Sequence, residues 1–332
     1  MPDLSVSRAS SRFHWGIPVP NDPSQTIYVW LDALTNYLTV AGYPENLKMW
    51  PPNCHVIGKD ILKFHAIYWP AFLMALELDL PEKIFCHSHW TINDEKMSKS
   101  KGNIIDPNEL SENLCTFEGL RYFLLREGVP QNDGNFNEKR LVECLNNDLA
   151  NTIGKLTFIV WFSKSTKIFS LIFFFEISGN LLNRITAKSI NTQQTFSQYN
   201  TDLNTSEADA LKETLETIRE TVEERYESFH YYQGIDSILD CLRQVNALIQ
   251  EEKPWELKKS DLNRLDSVLN LSLDSLRICT ILLQPIIPGL CEKILSKMNI
   301  PLNERTFQYA CPMTIYKNHK LNDGKVMFFK RI

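Results

Sequence analysis

The stretch from His55 to Asn93 constrains what this 332-residue chain can fold into more than any other. HVIGKD (55–60) reads as an apolar, β-branched strand that ends by a glycine. ILKFHAIYWPAFLMAL (61–76) reads as an apolar helix, and KIFCHSHWTIN (83–93) as a further strand. Two strands joined through a helix pair in parallel, because a parallel pair needs a crossover of a dozen or more residues. Such sheets place ligands at the carboxyl ends of their strands. Here that end runs into NDEKMSKSKGN (93–103), where Lys96, Lys99 and Lys101 alternate with serines ahead of Gly102. Upstream, IYVWLDALTNYL (27–38) reads as a strand running into a short helix.

Beyond residue 105 the pattern changes. NELSENLCTFEGLRYFLLREG and NEKRLVECLNNDLANTIG are helical by apolar spacing. From Ser206, SEAD reads as a capping box, followed by Leu211, Leu215, Ile218, Val222, Tyr226 and Phe229 at helical steps. Ile235, Ile238, Leu239, Leu242, Val245 and Ile249 make a second stripe, and residues 262–283 a third, closed by the prolines of LLQPIIPG. This half reads as an antiparallel helical bundle. The expected fold class is therefore α/β followed by all-α.

A net charge of −5 excludes binding nucleic acid through bulk positive charge, but not through local basic sites. The eight cysteines fall into no ligand-like spacing, so no protein zinc site is expected, and unpaired thiols fit a reducing compartment. KLTFIVWFSKSTKIFSLIFFFEISG (155–179) is dense in Phe and Ile without either periodicity. A membrane span there would set Lys164 and Lys167 near the bilayer centre at roughly 3 kcal/mol each, so none is expected. IFSLIFFF within it is a low-charge, β-prone window.

A lysine loop is ordinarily a solvated basic stretch. Its place after a strand, its small hydroxyl neighbours and Gly102 favour instead a mobile loop that closes over an anion. Flexible ammonium groups suit a triphosphate whose charge shifts during reaction. No GxxxxGK(S/T) or GxGxxG is present as an alternative phosphate cradle.

KMSKS (96–100) resembles the signature loop of class I aminoacyl-tRNA synthetases. SRFHWGIPVP, IYVWLDALTNYL, HVIGKDILKFHAIYWPAFL, HSHW, KMSKSKGNIIDP, GLRYFLLREGVP and NLLNRITAKSIN resemble, in order, the methionyl-tRNA synthetase family of bacterial and mitochondrial type, as does the ending GKVMFFKRI. The resemblance covers nearly all of the chain except 155–179. It implies a methionine–tRNA ligase, which forms methionyl-adenylate from methionine and ATP and passes methionine to tRNA(Met). It also implies a Rossmann-like catalytic domain, a helical anticodon-binding domain, and magnesium held with ATP mainly by its phosphates.

Carried over residue by residue, the resemblance places methionine among Trp30, Ala33, Leu34, Tyr37, Ile61, Phe64 and His65. A polarisable thioether suits such aromatic edges, and Tyr37 and His65 can orient the sulfur by hydrogen bonds. Read without the family, the same aromatics are core, as Phe64 and Trp69 still could be. Gly58 would admit the ribose, Asp60 accept its hydroxyls, and Trp90 lie near adenine. Lys99 and then Lys96 would stabilise the triphosphate in the transition state as electrophiles, with no protein nucleophile. In the helical half Asn180 and Arg184 would face anticodon bases, and Trp255 would stack on one, although a core tryptophan is the plainer reading.

The resemblance also divides the chain: residues 1–90 as the second half of the catalytic domain, 91–145 as the lysine loop and stem-contact region, and 146–332 as the anticodon-binding domain. The family's H-I-G-H motif does not occur in this sequence. HAIY and HSHW do not replace it, so the chain alone is expected not to form adenylate at an appreciable rate. The opening MPDLSVSRASSRFHWG has no signal-peptide core and starts abruptly, as a segment of a larger protein would. Segment 155–179, flanked by Gly154 and Gly179, reads as translated non-coding sequence such as a retained intron, or as a loop insertion. The alternative function is a non-catalytic tRNA- or protein-binding module. A nucleotidyltransferase using only the lysine loop leaves VWLDAL and NLLNR without a role. The expected setting is a monomer in the mitochondrial matrix, with tRNA(Met), methionine and ATP as partners and no membrane contact.

Overall fold

A computed structural model describes residues 6–13, 15–98, 102–153, 182, 185–196, 203–312 and 319–322. The chain divides into two units, Met1–His89 with Pro130–Asn132, and Trp90–Val129 with Asp133–Ile332.

In the first unit, β1 (Ser7–Ala9) and β2 (Pro18–Val19) flank β3 (Asp22–Ile27), both antiparallel to it. Helix α1 (Val29–Ala41) buries Leu34, Leu38 and Ala41, one face at helical spacing. It stops at Gly42, whose φ of 93° lets its amide reach the carbonyls of Leu38 and Thr39. A side chain there would also meet the Asn46 carbonyl oxygen at 2.8 Å.

Strands β4 (His55–Gly58) and β5 (Ile84–His87) pair in parallel, with His55 opposite Ile84 and Gly58 opposite His87. The crossover is not the single helix the apolar run predicts. A 3₁₀ turn (Lys59–Ile61) leads into a π-helical turn (Phe64–Tyr68) and then α2 (Trp69–Ala75). Pro70 explains the widening. It has no N–H for the Ala66 carbonyl and its ring crowds that turn, and the Trp69 amide bonds back to Phe64. Leu34, Leu38, Trp69 and Leu73 form this unit's core.

The run 83–93, expected as one strand, is two. It breaks at Ser88 and His89, where the Ser88 amide and hydroxyl donate to the carbonyls of Pro130 and Asn132. In the second unit β6 (Trp90–Ile92) pairs in parallel with β8 (Gly134–Phe136) and antiparallel with β7 (Glu95–Lys96). The β6–β7 turn is Asn93–Asp94, both left-handed with φ of 51° and 62°, as tight hairpin turns require. The lysine loop thus leaves a hairpin strand and not a parallel one.

The helices of this unit are α3 (Pro107–Asn113), α4 (Phe117–Glu127), α5 (Glu138–Cys144) running into a π-helical stretch (Leu145–Ile153), α6 (Ser206–Glu227), α7 (Tyr231–Glu252), α8 (Pro254–Ser260), α9 (Leu262–Leu283) and α10 (Pro288–Lys297). Leu211, Leu215, Ile218 and Val222 of α6 and Ile235 to Ile249 of α7 are buried as their stripes predict. The cap of α6 is shifted by one. Thr205 accepts the Ala208 amide at 3.3 Å, and Ser206 is the first helical residue. Helix α9 is buried all round from Val268 onward, and its Arg277, 0% exposed, bonds Asp274 and the carbonyls of Tyr309 and Cys311. No helix among the described residues is long and apolar enough to cross a membrane.

Candidate functional site

The first unit gathers the aromatic residues singled out in the sequence. Trp30, from α1, stacks on Phe64, from the π turn, with centroids 3.6 Å apart and planes 8° from parallel. Tyr37, two turns along α1 from Trp30, has its Oη 2.9 Å from Nε2 of His65, the residue after Phe64, and His65 Nδ1 lies 3.0 Å from the Ile61 carbonyl. A carbonyl only accepts, so Nδ1 carries a proton; in the neutral ring Nε2 is then bare and accepts the Tyr37 hydroxyl. The π turn thus fixes the tautomer, and with it the direction of the phenol. Burial raises the Tyr37 pKa, which keeps that hydroxyl protonated. Ile61, Trp30, Phe64 and Ala33 are half-buried, whereas Leu34 is 0% exposed and belongs to the core.

One participant was not singled out. His55, 6% exposed, lies 4.3 Å from the Tyr37 ring and accepts the Trp69 indole N–H at Nε2 over 3.2 Å. Burial, then the neighbouring His65, lowers its pKa, so it stands neutral behind Tyr37. In sequence it is one more residue in an apolar strand and gives no signal.

Gly58 ends β4 in this same unit, and Asp60 is exposed in the following turn. The space that a Gly58 β carbon would take lies 3.4 Å from His89 Nε2, so the HSHW histidines face this strand end. Trp90 and Lys96 lie in the second unit. The Trp90 indole lies over Gly134, where a β carbon would sit 2.9 Å from the ring, and packs on Phe123 at 5.6 Å. Lys96 is exposed on β7.

The described part of the lysine loop is closed at its base by Asn103, which sequence reasoning passed over. Its Oδ1 accepts the Ser98 amide at 2.8 Å and its amide donates to the Lys96 carbonyl at 3.2 Å. Asn135 Nδ2, on β8, donates to Asp94 Oδ1 in the hairpin turn, 2.9 Å. Gly102 has a φ of 68°, and a β carbon placed there would meet no atom of the described residues within 4 Å. Lys99, Asn180, Arg184 and segment 155–179 lie outside the described residues.

In the bundle, Trp255 is half-buried against the core on α8. Arg126 bridges Asp148, 3.3 Å, and Asp236, 2.7 Å, while the Tyr122 hydroxyl donates to Asp148 over 3.0 Å, so α4, the π-helical stretch and α7 are tied by one ionic group. No group of three or more metal-ligating side chains occurs among the described residues.

Comparison with known proteins accounts for both halves. The family profile described as class I tRNA synthetases (M) matches residues 1–158, and that of the anticodon binding domain of methionyl tRNA ligase matches residues 200–330. The mitochondrial methionine–tRNA ligase of Homo sapiens is 43% identical over all of this chain and 56% of its own length. The methionine–tRNA ligase of Rickettsia bellii is 38% identical over 92% of the chain and 56% of its own. The chain therefore spans about half the length of the curated relatives it matches. Among solved structures, Mycobacterium tuberculosis methionyl-tRNA synthetase in complex with methionyl-adenylate superposes with a TM-score of 0.82 at 33% identity, covering 99% of this chain and 60% of that one. Catalytic and anticodon-domain profiles in family order, with identity across the whole chain, establish that it belongs to the class I methionyl-tRNA synthetases.

Proposed function

We propose that this chain serves a methionine–tRNA ligase, binding methionine and ATP in its first part and the anticodon of tRNA(Met) in its helical part. The observation that carries this reading is the ordered pair of Tyr37 and His65 beside the Trp30–Phe64 stack. Aromatic rings contact a polarisable thioether favourably, and the bond to His65 holds the Tyr37 ring in one orientation beside the stack. Ile61 supplies the carbonyl that sets the tautomer and an apolar wall, and Ala33 leaves room.

For the nucleotide, Gly58 lets the backbone approach the ribose and Asp60 accepts its hydroxyls, with Trp90 near adenine. Lys96 and Lys99 stabilise charge developing on the triphosphate, and Asn103 holds the loop base at Lys96 and Ser98. Magnesium would enter with ATP, held mainly by phosphates, and would neutralise part of that charge. Asn180, Arg184 and Trp255 read the anticodon by base-edge bonds and stacking. Mitochondrial relatives outnumber bacterial ones among the first matches, which supports the mitochondrial matrix. A monomer remains our reading.

The absence of H-I-G-H removes a set of phosphate donors from the 332-residue chain. It therefore binds RNA without forming adenylate. The test has two arms on the purified chain. An RNA hairpin with a CAU anticodon loop is expected to bind more tightly than one with a scrambled loop. Methionine-dependent exchange of pyrophosphate into ATP is expected at background. Equal affinity for both hairpins overturns the anticodon reading, and exchange at the rate of a complete ligase overturns the need for H-I-G-H.

A further inference from the structure

The corner between α7 and α8 carries more machinery than a turn needs. Lys253 adopts a left-handed conformation, φ 43° and ψ 64°, which strains any residue with a β carbon. Such a conformation persists only where its flanks over-determine it. Just before it, Glu252 ends α7 with a side chain 2% exposed. Its two oxygens accept Arg264 Nε at 2.6 Å and Nη2 at 2.8 Å, a two-bond fork that fixes both plane and distance. Arg264 stands in the first turn of α9, where its amide donates to the Asp261 cap at 3.0 Å. Residues 253–260 are thus pinned at both ends. They hold Pro254, which sets the first turn of α8, and Trp255, half-buried against the core.

We propose that Glu252 and Arg264 are a positioning pair for Trp255, holding the indole at the pitch an unpaired RNA base needs for stacking. The inference rests on the reading of Trp255 as a base-stacking residue. Arg264 remains 42% exposed, and a direct phosphate contact is the competing role for it. Yet two of its donors are committed to Glu252, and a guanidinium so committed turns only its remaining edge outward. The pair sets geometry and the tryptophan supplies the contact.

The test measures affinity of the full chain for the CAU hairpin across a range of salt, with Arg264→Lys, Arg264→Gln, Glu252→Gln, Trp255→Ala and the double variant R264K/W255A. Lysine keeps the charge and loses the fork. Arg264→Lys and Trp255→Ala are each expected to weaken binding about tenfold, within the range for one stacked base. In the double variant the effects do not multiply, because both remove the same contact. The slope of affinity with salt stays unchanged for Glu252→Gln and for Arg264→Gln. Full multiplication in the double variant overturns the pairing. So does a slope reduced by about one in Arg264→Gln, which would mark a lost phosphate contact. Wild-type affinity in Trp255→Ala sinks the stacking reading itself, and the pair with it. Arg264→Lys with wild-type affinity sinks the pair alone.

Discussion

Trp69 donates to His55 Nε2, so the lone pair there is occupied and His55 must carry its proton on Nδ1. A second proton would remove that acceptor and place a cation beside His65 and the Tyr37 ring, the groups that surround it together with Trp69. The folded-state pKa lies below the ordinary histidine value, chiefly through burial. His55 therefore contributes stability that is present above about pH 6.5 and lost as pH falls through the folded value. As pH falls below about 6.5 the near-ultraviolet circular dichroism of the aromatic cluster is expected to weaken in the wild type. His55→Gln, whose amide oxygen can still accept from Trp69 but cannot titrate, is expected to hold its signal over the same range. Identical profiles for the two would assign the transition to another group. Histidines of this kind mark the limit of what sequence gives at the residue scale. Tyr37 and His65 were reached only through the family resemblance, since read alone they pass for core residues. His55 was not, because its partner Trp69 is brought to it by the parallel crossover, and no local pattern announces that.

At the scale of elements, Gly234 sets the fit of α6 against α7. Glycine inside a helix costs about 1 kcal/mol relative to alanine, so propensity alone recommends Gly234→Ala. A β carbon there would lie 2.5 Å from Tyr226 Cε1, however. That ring cannot swing aside, since its hydroxyl donates to the Leu282 carbonyl at 3.2 Å and its face packs on Tyr231. Overpacking of this kind costs about 1–3 kcal/mol and outweighs the propensity gain. Gly234→Ala is expected to lower stability in urea unfolding by about 1 kcal/mol. In a Tyr226→Leu background the same change is expected to be neutral or stabilising, and a loss there as large as in the wild type would refute the clash. The long stripes of α6, α7 and α9 could be read from sequence because each spans several turns and repetition outvotes local exceptions. Short elements could not. The strand over 83–93 splits where Ser88 finds backbone acceptors at Pro130 and Asn132, the latter 44 residues away in sequence. The helix over 61–76 widens because one proline withholds one amide.

Across the whole molecule the two units differ in how much apolar surface they bury. The second has α9, buried on every side from Val268 to Leu283, packed among α6, α7 and α10. The first closes its core on Leu34, Leu38, Trp69 and Leu73, and leaves Val40 78% exposed, Met74 61% and Val56 60%. Burial of apolar area contributes about 25 cal/mol per Å², and backbone ordering costs much the same per residue in either unit. The smaller core therefore leaves its unit the smaller margin, and local opening draws on that margin. Native-state hydrogen exchange is the measurement that reads it. Amides of α9 are expected to exchange only through global unfolding of their unit, with a strong dependence on added denaturant. Amides of α1, β4 and β5 are expected to exchange orders of magnitude faster, through openings that depend weakly on denaturant. Methionine and ATP at saturating concentration should slow exchange in α1 and the π turn if they bind there, since ligand that binds only the folded form raises its stability by mass action. Protection in α1 and β4 equal to that in α9, before any ligand is added, would mean that the small core is held by something other than the contacts described for it.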